Sequence, residues 1–291
     1  MPQMGFWNYN QPYNPCFMFE NTLRVAILDM YDGHANQGMR SIRTVLRRFA
    51  RENDLSMHVD EFDVRGKAEI ADLSYDVYIS SGGPGSPLLE NSLWETNYFA
   101  LVDALFQHNA TNEYNKKYVF YICHSFQLIC GHLKLGTINK RQSTSFGVMP
   151  THRVNEGNTD NFLDGLADPF WVVDSRDWQV VNLNWEKIMA LDIKVLAIEK
   201  ERPNIPLDRA IMALRIGNEM FATQFHPEAD PEGMLVHLQT EDKRNQVIQD
   251  HGAAKYYQML DFLNDDDKIA LTQRTILPAF LNKAIHQFQE V

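Results

Sequence analysis

Tyr118-Val119-Phe120-Tyr121-Ile122-Cys123, continuing into His124-Ser125-Phe126-Gln127-Leu128-Ile129-Cys130-Gly131-His132-Leu133, is the stretch on which the reading of this chain turns. The first part is an apolar and aromatic run of strand length, and the second carries apolar residues at helical spacing. Their junction puts the Cys123 thiol on a sharp turn, held out of a sheet and above a helix N-terminus. That end of a helix presents unpaired N–H groups and partial positive charge, a setting in which cysteines serve as nucleophiles. Far downstream, Phe225-His226-Pro227-Glu228 offers a base and a carboxylate to orient it. Together they suggest a Cys-His-Glu acyl-transfer site.

The flanking sequence predicts what holds this turn. Leu23-Arg24-Val25-Ala26-Ile27-Leu28-Asp29 reads as a first strand, and residues 36–51 carry Met39, Ile42, Val45, Leu46 and Phe49 at helical spacing. A second strand is expected over residues 56–64. A third, Asp76 to Ser80, runs into Gly82-Gly83-Pro84-Gly85, and a helix follows from Trp94 to Gln107. Strands alternating with helices predict an α/β protein, a mostly parallel twisted sheet with helices on both faces. Ligands of such sheets sit at the carboxyl ends of the strands, where Cys123 and the Gly83 loop both fall.

Beyond Ser145 short strand-like runs dominate: Phe146 to Met149, Phe170 to Val173, Val195 to Ile198, Ile211 to Ile216 and Met220 to Phe225. Gly217-Asn218 marks a turn between the last two. After Glu228 the pattern is helical to the end, with helices expected over residues 241–250, 253–263 and 267–288, the last capped within Asp265-Asp266-Asp267. The spacing of that acidic run is wrong for an EF-hand calcium loop. Three regions are expected: an aromatic and polar N-terminal extension (1–22), an α/β domain (23–230) and a C-terminal helical extension (231–291).

Composition narrows the function. The chain has 291 residues, is 44% hydrophobic and carries a net charge of −11. That charge speaks against nucleic-acid binding and against docking to anionic membranes. No run approaches the roughly 20 apolar residues of a membrane span, and the N-terminus lacks the pattern of a signal peptide. Cys16, Cys123 and Cys130 are too few and too irregular for a disulfide framework, and no pair has metal-ligand spacing. A cytoplasmic protein without metal or cofactor is expected. Cys16 and Cys130 read as small buried hydrophobes. His124, His132 and His152 show no partner that would make them catalytic.

Three segments in order, Ser81-Gly82-Gly83-Pro84-Gly85-Ser86-Pro87, Ile122-Cys123-His124-Ser125-Phe126-Gln127 and Gln224-Phe225-His226-Pro227-Glu228, resemble the class I (triad-type) glutamine amidotransferases. Ser145-Phe146-Gly147-Val148 and Asp174-Ser175-Arg176-Asp177-Trp178 resemble further segments of that family, so the likeness runs from Leu23 to Asp230. It implies a flavodoxin-like amidotransferase fold and glutamine as substrate. Cys123 would attack the side-chain amide, His226 would relay the proton, and Glu228 would orient His226, the two lying side by side as positions two apart in one strand. The backbone N–H groups of Gly83 and His124 would form the oxyanion hole, and Gln127, Ser175 and Arg176 would hold the substrate. Ammonia would pass to an acceptor on a separate synthetase subunit, since neither a P-loop nor a Ser-Gly-Gly-x-Asp-Ser segment is present. By resemblance that acceptor is of the GMP-synthase kind. The sequence does not reveal an oligomeric state.

The chain departs from the family at the turn, commonly Gly-x-Cys-x-Gly, where Tyr121 and Ser125 stand in place of both glycines. Room for Tyr121 requires a small residue opposite it in the sheet. Two other readings follow: a hydrolase of other γ-glutamyl compounds, favoured by unusual residues near the turn or an acceptor-sized cleft, and a non-catalytic binding protein that keeps the fold.

Overall fold

A computed structural model describes residues 22–154, 162–203 and 206–289. The N-terminal extension up to Asn21, and with it Cys16, lies outside the described residues. The chain order is β1 (Leu23–Asp29), α1 (Gly38–Glu52), β2 (Met57–Asp63), the short α2 (Val64–Lys67), β3 (Val77–Ser80), α3 (Leu93–Thr111), β4 (Tyr118–Ile122) and α4 (His124–His132). It continues with β5 (Thr137–Arg153), β6 (Phe170–Val181), α5 (Trp185–Ala190), β7 (Ile193–Glu199), β8 (Ile211–Ile216) and β9 (Met220–Thr223). Among the described residues four helices follow: α6 (Pro231–Gln239), α7 (Glu241–His251), α8 (Ala253–Leu263) and, after a π turn at Asp266–Ala270, α9 (Leu271–Gln289).

The described strands form one sheet in the order β2-β1-β3-β4-β9-β8-β7-β5-β6. From β2 to β9 the pairing is parallel, and from β9 to β6 it is antiparallel. The parallel half follows from composition. Val25 to Leu28 are apolar throughout and buried on both faces, as an interior parallel strand requires. β2, with exposed His58, Val59 and Glu61, is an edge. α1 buries the Met39, Ile42, Val45, Leu46, Phe49 stripe, and α3 starts at a capping box between Ser92 and Glu95. The two faces of β4 belong to different cores. Phe120 and Ile122 point toward α1 and α9, while Val119 and Tyr121 point toward α3 and α4.

The antiparallel half differs from the sequence expectation. The runs at Phe146 and Phe170 are parts of a long hairpin, β5 with 17 residues and β6 with 12. The first half of β5 is polar, and its register against β6 shifts between Lys140 and Ser145. That bulge breaks the period-2 alternation by which a strand is read from sequence. The hairpin curls over, so that the His226 N–H reaches the Val173 carbonyl at 2.9 Å.

Space for Tyr121 comes from its neighbours in register, Ser80 on β3 and Ala222 on β9, both small. Its ring is buried, and its hydroxyl finds no hydrogen-bond partner among the described residues.

The C-terminal helices are integral to the packing. Ile276, Leu277, Phe280, Leu281 and Ala284 of α9 lie in the same core as β1 and α1. The Phe280 ring stands 5.1 Å from Phe120 and 5.8 Å from Phe221, edge-on to both. α6 to α8 pack Met234, Leu238, Val247, Tyr256 and Met259 on Phe146, Val148 and Val173 of the hairpin. Gly147 permits this approach. Its φ is 122°, and a Cβ there would stand 2.3 Å from the Met259 sulfur. Helix α6 was expected only as part of a general helical tail. Its start is legible in Asp230-Pro231, with the Asp230 carboxylate accepting from Gly233 N–H and Pro231 at the first helical position.

Truncation after Asp230 removes part of the main core, so the shortened chain is expected to be insoluble when expressed. Phe280→Ala should destabilise the full chain by about 3–5 kcal/mol, measured as a drop in the urea midpoint. A soluble truncated chain with native-like unfolding would show α9 to be dispensable.

Candidate active site

Cys123 follows β4 directly and is the N-cap of α4, with φ 48° and ψ −95°. L-residues avoid that conformation, and it survives where surroundings over-determine it. The Cys123 N–H donates to the Thr223 carbonyl of β9 at 2.7 Å, and its carbonyl accepts from Gln127 N–H at 3.1 Å. One side of the turn is thus fixed to the sheet and the other to the helix. Ser125, where a glycine was expected, fits by hydrogen bonding. Its hydroxyl donates to the Ser81 carbonyl at 2.7 Å and lies 2.8 Å from the Ser80 hydroxyl, which in turn pairs with Tyr98 at 2.9 Å.

His226 and Glu228 are brought beside the thiol by a tight turn past the end of β9. The expectation that they point the same way as alternate residues of one strand does not hold, because β9 ends at Thr223. Two bonds make the turn: His226 N–H to Val173, and Ala229 N–H to the His226 carbonyl at 3.3 Å. Glu228 is 1% exposed, and its Oε1 lies 2.8 Å from His226 Nδ1. Its backbone carbonyl accepts from Gln273 Nε2 of α9 at 3.0 Å. Burial alone would push the His226 imidazole down. The Glu228 carboxylate and the negative charge that can develop on Cys123 outweigh it, and the pKa stands well above its ordinary value. The pair is therefore built to hold an imidazolium.

Gly82 and Gly83 cross the mouth of the site. A Cβ on Gly82 would stand 2.7 Å from His226 Cε1, and one on Gly83 would stand 2.2 Å from the Met30 carbonyl. Gly83 and His124 both border the cleft, and the His124 N–H belongs to the first turn of α4, whose N–H groups have no partner inside the helix. The His124 side chain is 1% exposed, and its pKa is pushed down to about 3 by burial and by the charge of Arg65. It is neutral and takes no proton at physiological pH.

The other expected residues fare differently. Gln127 is buried at the cleft and donates to Gln224 Oε1 at 3.2 Å and to the Trp178 carbonyl at 3.3 Å. Ser175 is exposed there, and its carbonyl lies 3.8 Å from the Cys123 sulfur. Arg176 is committed elsewhere. Its buried guanidinium bonds Asp174 at 2.9 Å and Glu199 at 3.4 Å, so it shapes β6 and is not free to grip a substrate. Cys130 is buried, and burial raises its thiol, which fits a small hydrophobe. His132 and His152, for which no partner was expected, face Asp103 at 2.6 Å and Asp168 at 3.3 Å, and neither borders the cleft. Asp265 caps the π turn by accepting from Asp267 N–H and also pairs with Lys268. Among the described residues no group of His, Cys, Asp and Glu is placed to hold a metal ion.

The cleft has a volume of about 700 Å³. Its walls include residues that the sequence reading missed: Tyr31, and Met234, His237, Lys243 and Gln246 of α6 and α7. Tyr31, just past β1, was findable from the rule that sites gather at the carboxyl ends of parallel strands. Its hydroxyl pKa is raised well above the usual value by burial and by nearby Glu228 and Cys123. The helical residues carry no local signal.

A parallel α/β sheet with a cysteine on a strained strand-to-helix turn at the carboxyl ends of its strands defines the class of fold. The family model for class-I glutamine amidotransferases matches residues 36–240, and the chain belongs to that family. No curated protein matches it. Among solved structures it is similar to a glutamine amidotransferase from Thermotoga maritima (14% identity, TM-score 0.63, covering 90% of this chain and 98% of that one). It is also similar to a glutamine amidotransferase from Methylobacillus flagellatus (11%, 0.61, 91% and 94%). A third is the glutaminase domain of Trypanosoma brucei CTPS with bound acivicin (13%, 0.53, 71% and 86%). At these identities the likeness is one of fold. No helix among the described residues is long and apolar enough to cross a membrane.

Cys123→Gly should be more stable than Cys123→Ala by about 1 kcal/mol, because glycine accepts the positive φ that alanine resists. Urea denaturation of the two variants checks this, and equal midpoints would mean that the turn is unstrained. His226 supplies a second expectation. Its native pKa lies above the unfolded value of 6.5, so the native state holds the proton more tightly. The stabilisation is fully present below pH 6.5 and is lost as pH rises through the native pKa. The stability gap between the wild-type chain and His226→Gln should close over that window, and a gap independent of pH would refute the charged pair.

Proposed function

We propose that this chain is a glutaminase that releases ammonia through a γ-glutamyl thioester on Cys123, with His226 and Glu228 completing the triad. The observation that carries the reading is the buried Glu228–His226 bond of 2.8 Å beside a thiol on a strained turn. The thiol proton passes to His226, whose imidazolium Glu228 stabilises, and Sγ attacks the amide carbon. The oxyanion is received by the N–H groups of Gly83 and His124. Collapse breaks the carbon–nitrogen bond, and His226 returns the proton so that ammonia leaves. Water, deprotonated by His226, then splits the thioester to glutamate and the free thiol. Glu228 holds the imidazole in the tautomer and orientation these transfers need.

Residues 23–230 make up the glutaminase domain in this reading, and residues 231–291 complete its wall. The ammonia goes to an acceptor site on another chain, and no cofactor takes part. A second reading is favoured by the cleft itself. A volume of about 700 Å³ is in the range that encloses a ligand much larger than one amino acid. The same thioester chemistry would then act on a γ-glutamyl compound with a bulkier amine leaving group. Tyr121 does not argue for a dead site, since Ser80 and Ala222 leave it room.

The test is release of ammonia from glutamine, run beside release of amine from a γ-glutamyl dipeptide. Cys123→Ala should abolish both, and Glu228→Gln should lower kcat by about 10⁴. A glutamine-analogue chloroketone should label Cys123. Turnover that survives Cys123→Ala would sink the assignment.

A further inference from the structure

In the proposed chemistry Gly83 receives the oxyanion with its N–H, so the loop that carries it must be held in place. Its start is well tied. The Ser81 N–H donates to the Leu28 carbonyl at 3.0 Å, its hydroxyl accepts from Met30 N–H at 2.9 Å, and its carbonyl accepts from the Ser125 hydroxyl. Past Ser81 the ties thin out. Among the described residues two hydrogen bonds reach residues 82–85. One is local, from the Ser81 hydroxyl to the Gly82 carbonyl at 2.9 Å, and the other comes from Arg65.

Arg65 lies on α2, the short turn after β2. Asp63 starts that turn by accepting from the Gly66 N–H at 2.9 Å, and Val64 is buried. From there the Arg65 side chain reaches the carboxyl ends of β1 and β3. One nitrogen, Nη1, donates to the Met30 carbonyl at 3.2 Å and to the Pro84 carbonyl at 2.5 Å. Met30 follows β1 and Pro84 follows Gly83, so a single cation joins the strand exit to the loop. The joint is tight, since a Cβ on Gly83 would stand 2.2 Å from the Met30 carbonyl that Arg65 bonds. Two carbonyl oxygens brought to one point repel unless a donor lies between them, and a charged donor makes the stronger bonds. The guanidinium is itself held. It stands 5.5 Å from the centre of the Trp94 ring, with Asp32 at 4.0 Å. Burial, and after it the charge of Arg65, hold the His124 imidazole low, so Arg65 is near the residue of the second oxyanion donor as well.

We propose that Arg65 is the positioning residue of the oxyanion loop: by bridging the Met30 and Pro84 carbonyls it holds the Gly83 N–H where the tetrahedral oxygen forms. The inference rests on the glutaminase reading and adds to it the group that aims one of its donors. Arg65 lies outside every segment that carries the family resemblance. Misplacing a catalytic group by about 1 Å costs on the order of 100-fold in rate, and outright loss of an oxyanion donor costs about 10²–10³. A loosened tether falls at or below that range.

Arg65→Met removes the bridge and keeps apolar bulk beside Trp94. With L-glutamine its kcat should fall about 10- to 100-fold at unchanged KM, the pattern of a contact made in the transition state alone. Arg65→Lys, whose ammonium can bridge the same two carbonyls, should recover most of the loss. Alkylation of Cys123 by iodoacetamide forms no oxyanion and should keep its wild-type rate, read on the Cys123 peptide by mass spectrometry. A reading independent of turnover comes from glycine-selective ¹⁵N labelling. The order parameters of Gly82, Gly83 and Gly85 should drop in Arg65→Met from about 0.85 toward about 0.6, with Gly131 of α4 unchanged. Arg65→Gln gives the same readings if Arg65→Met is not recovered folded. Unchanged order in the loop would overturn the tether, as would unchanged kcat, or a loss of alkylation equal to the loss of kcat. A loop that loosens in Arg65→Met while the wild-type chain releases neither ammonia nor amine would instead refute the proposed chemistry and leave the tether standing.

Discussion

A backbone at φ 48° and ψ −95° is unfavourable for cysteine, and the site depends on keeping Cys123 there. The conformation costs of order 1–3 kcal/mol, so the surrounding structure must hold it. It does so from two directions. Thr223 of β9 anchors the Cys123 N–H, and the first turn of α4 anchors its carbonyl. Under the turn, Ser125, Ser80, Ser81 and Tyr98 form a buried chain of hydroxyl bonds. Where glycines would have made room by having no side chain, this protein makes room with small neighbours and ties the serine down. The same β9 that fixes the cysteine leads directly into the turn that bears His226 and Glu228. Cys123 and His226 are thereby positioned by adjacent parallel strands.

The second dependence is on the C-terminal helices. Gln273 of α9 bonds the Glu228 carbonyl, and the same helix places Phe280 among Phe120 and Phe221. α8 closes on Gly147, where a side chain would collide with Met259. α6 and α7 then supply one wall of the cleft. Stability and site geometry therefore share residues, and a defect in the helical tail is felt at Glu228.

Much of the parallel half was legible because its local signals agree. The β1 run is apolar without a break, the α1 stripe is periodic, and Cys123 sits where a strand pattern gives way to a helical one. The family segments carried Cys123, His226 and Glu228 in order. The β5–β6 hairpin was less legible, since a bulge and a polar outer half hide its length. The side-by-side placement of His226 and Glu228 was expected, but for the wrong local reason: a turn held by Val173 brings them together, not a strand's alternation. Arg176 has the chemistry of a substrate grip, yet its charge is consumed by Asp174 and Glu199, two carboxylates that no local pattern connects to it.

The sequence by itself determined the alternation of strands and helices, the thiol at a strand end and the imidazole and carboxylate of the His226-Pro227-Glu228 segment. These depend on neighbours within a few residues or on the order of segments. Only the tertiary structure decided that Tyr121 fits, that Arg176 is unavailable and that Lys243 and Asp177 border one cleft. Each of those depends on which distant residues become neighbours, and that is set when β9 pairs beside β4 and the terminal helices fold back over the curled hairpin.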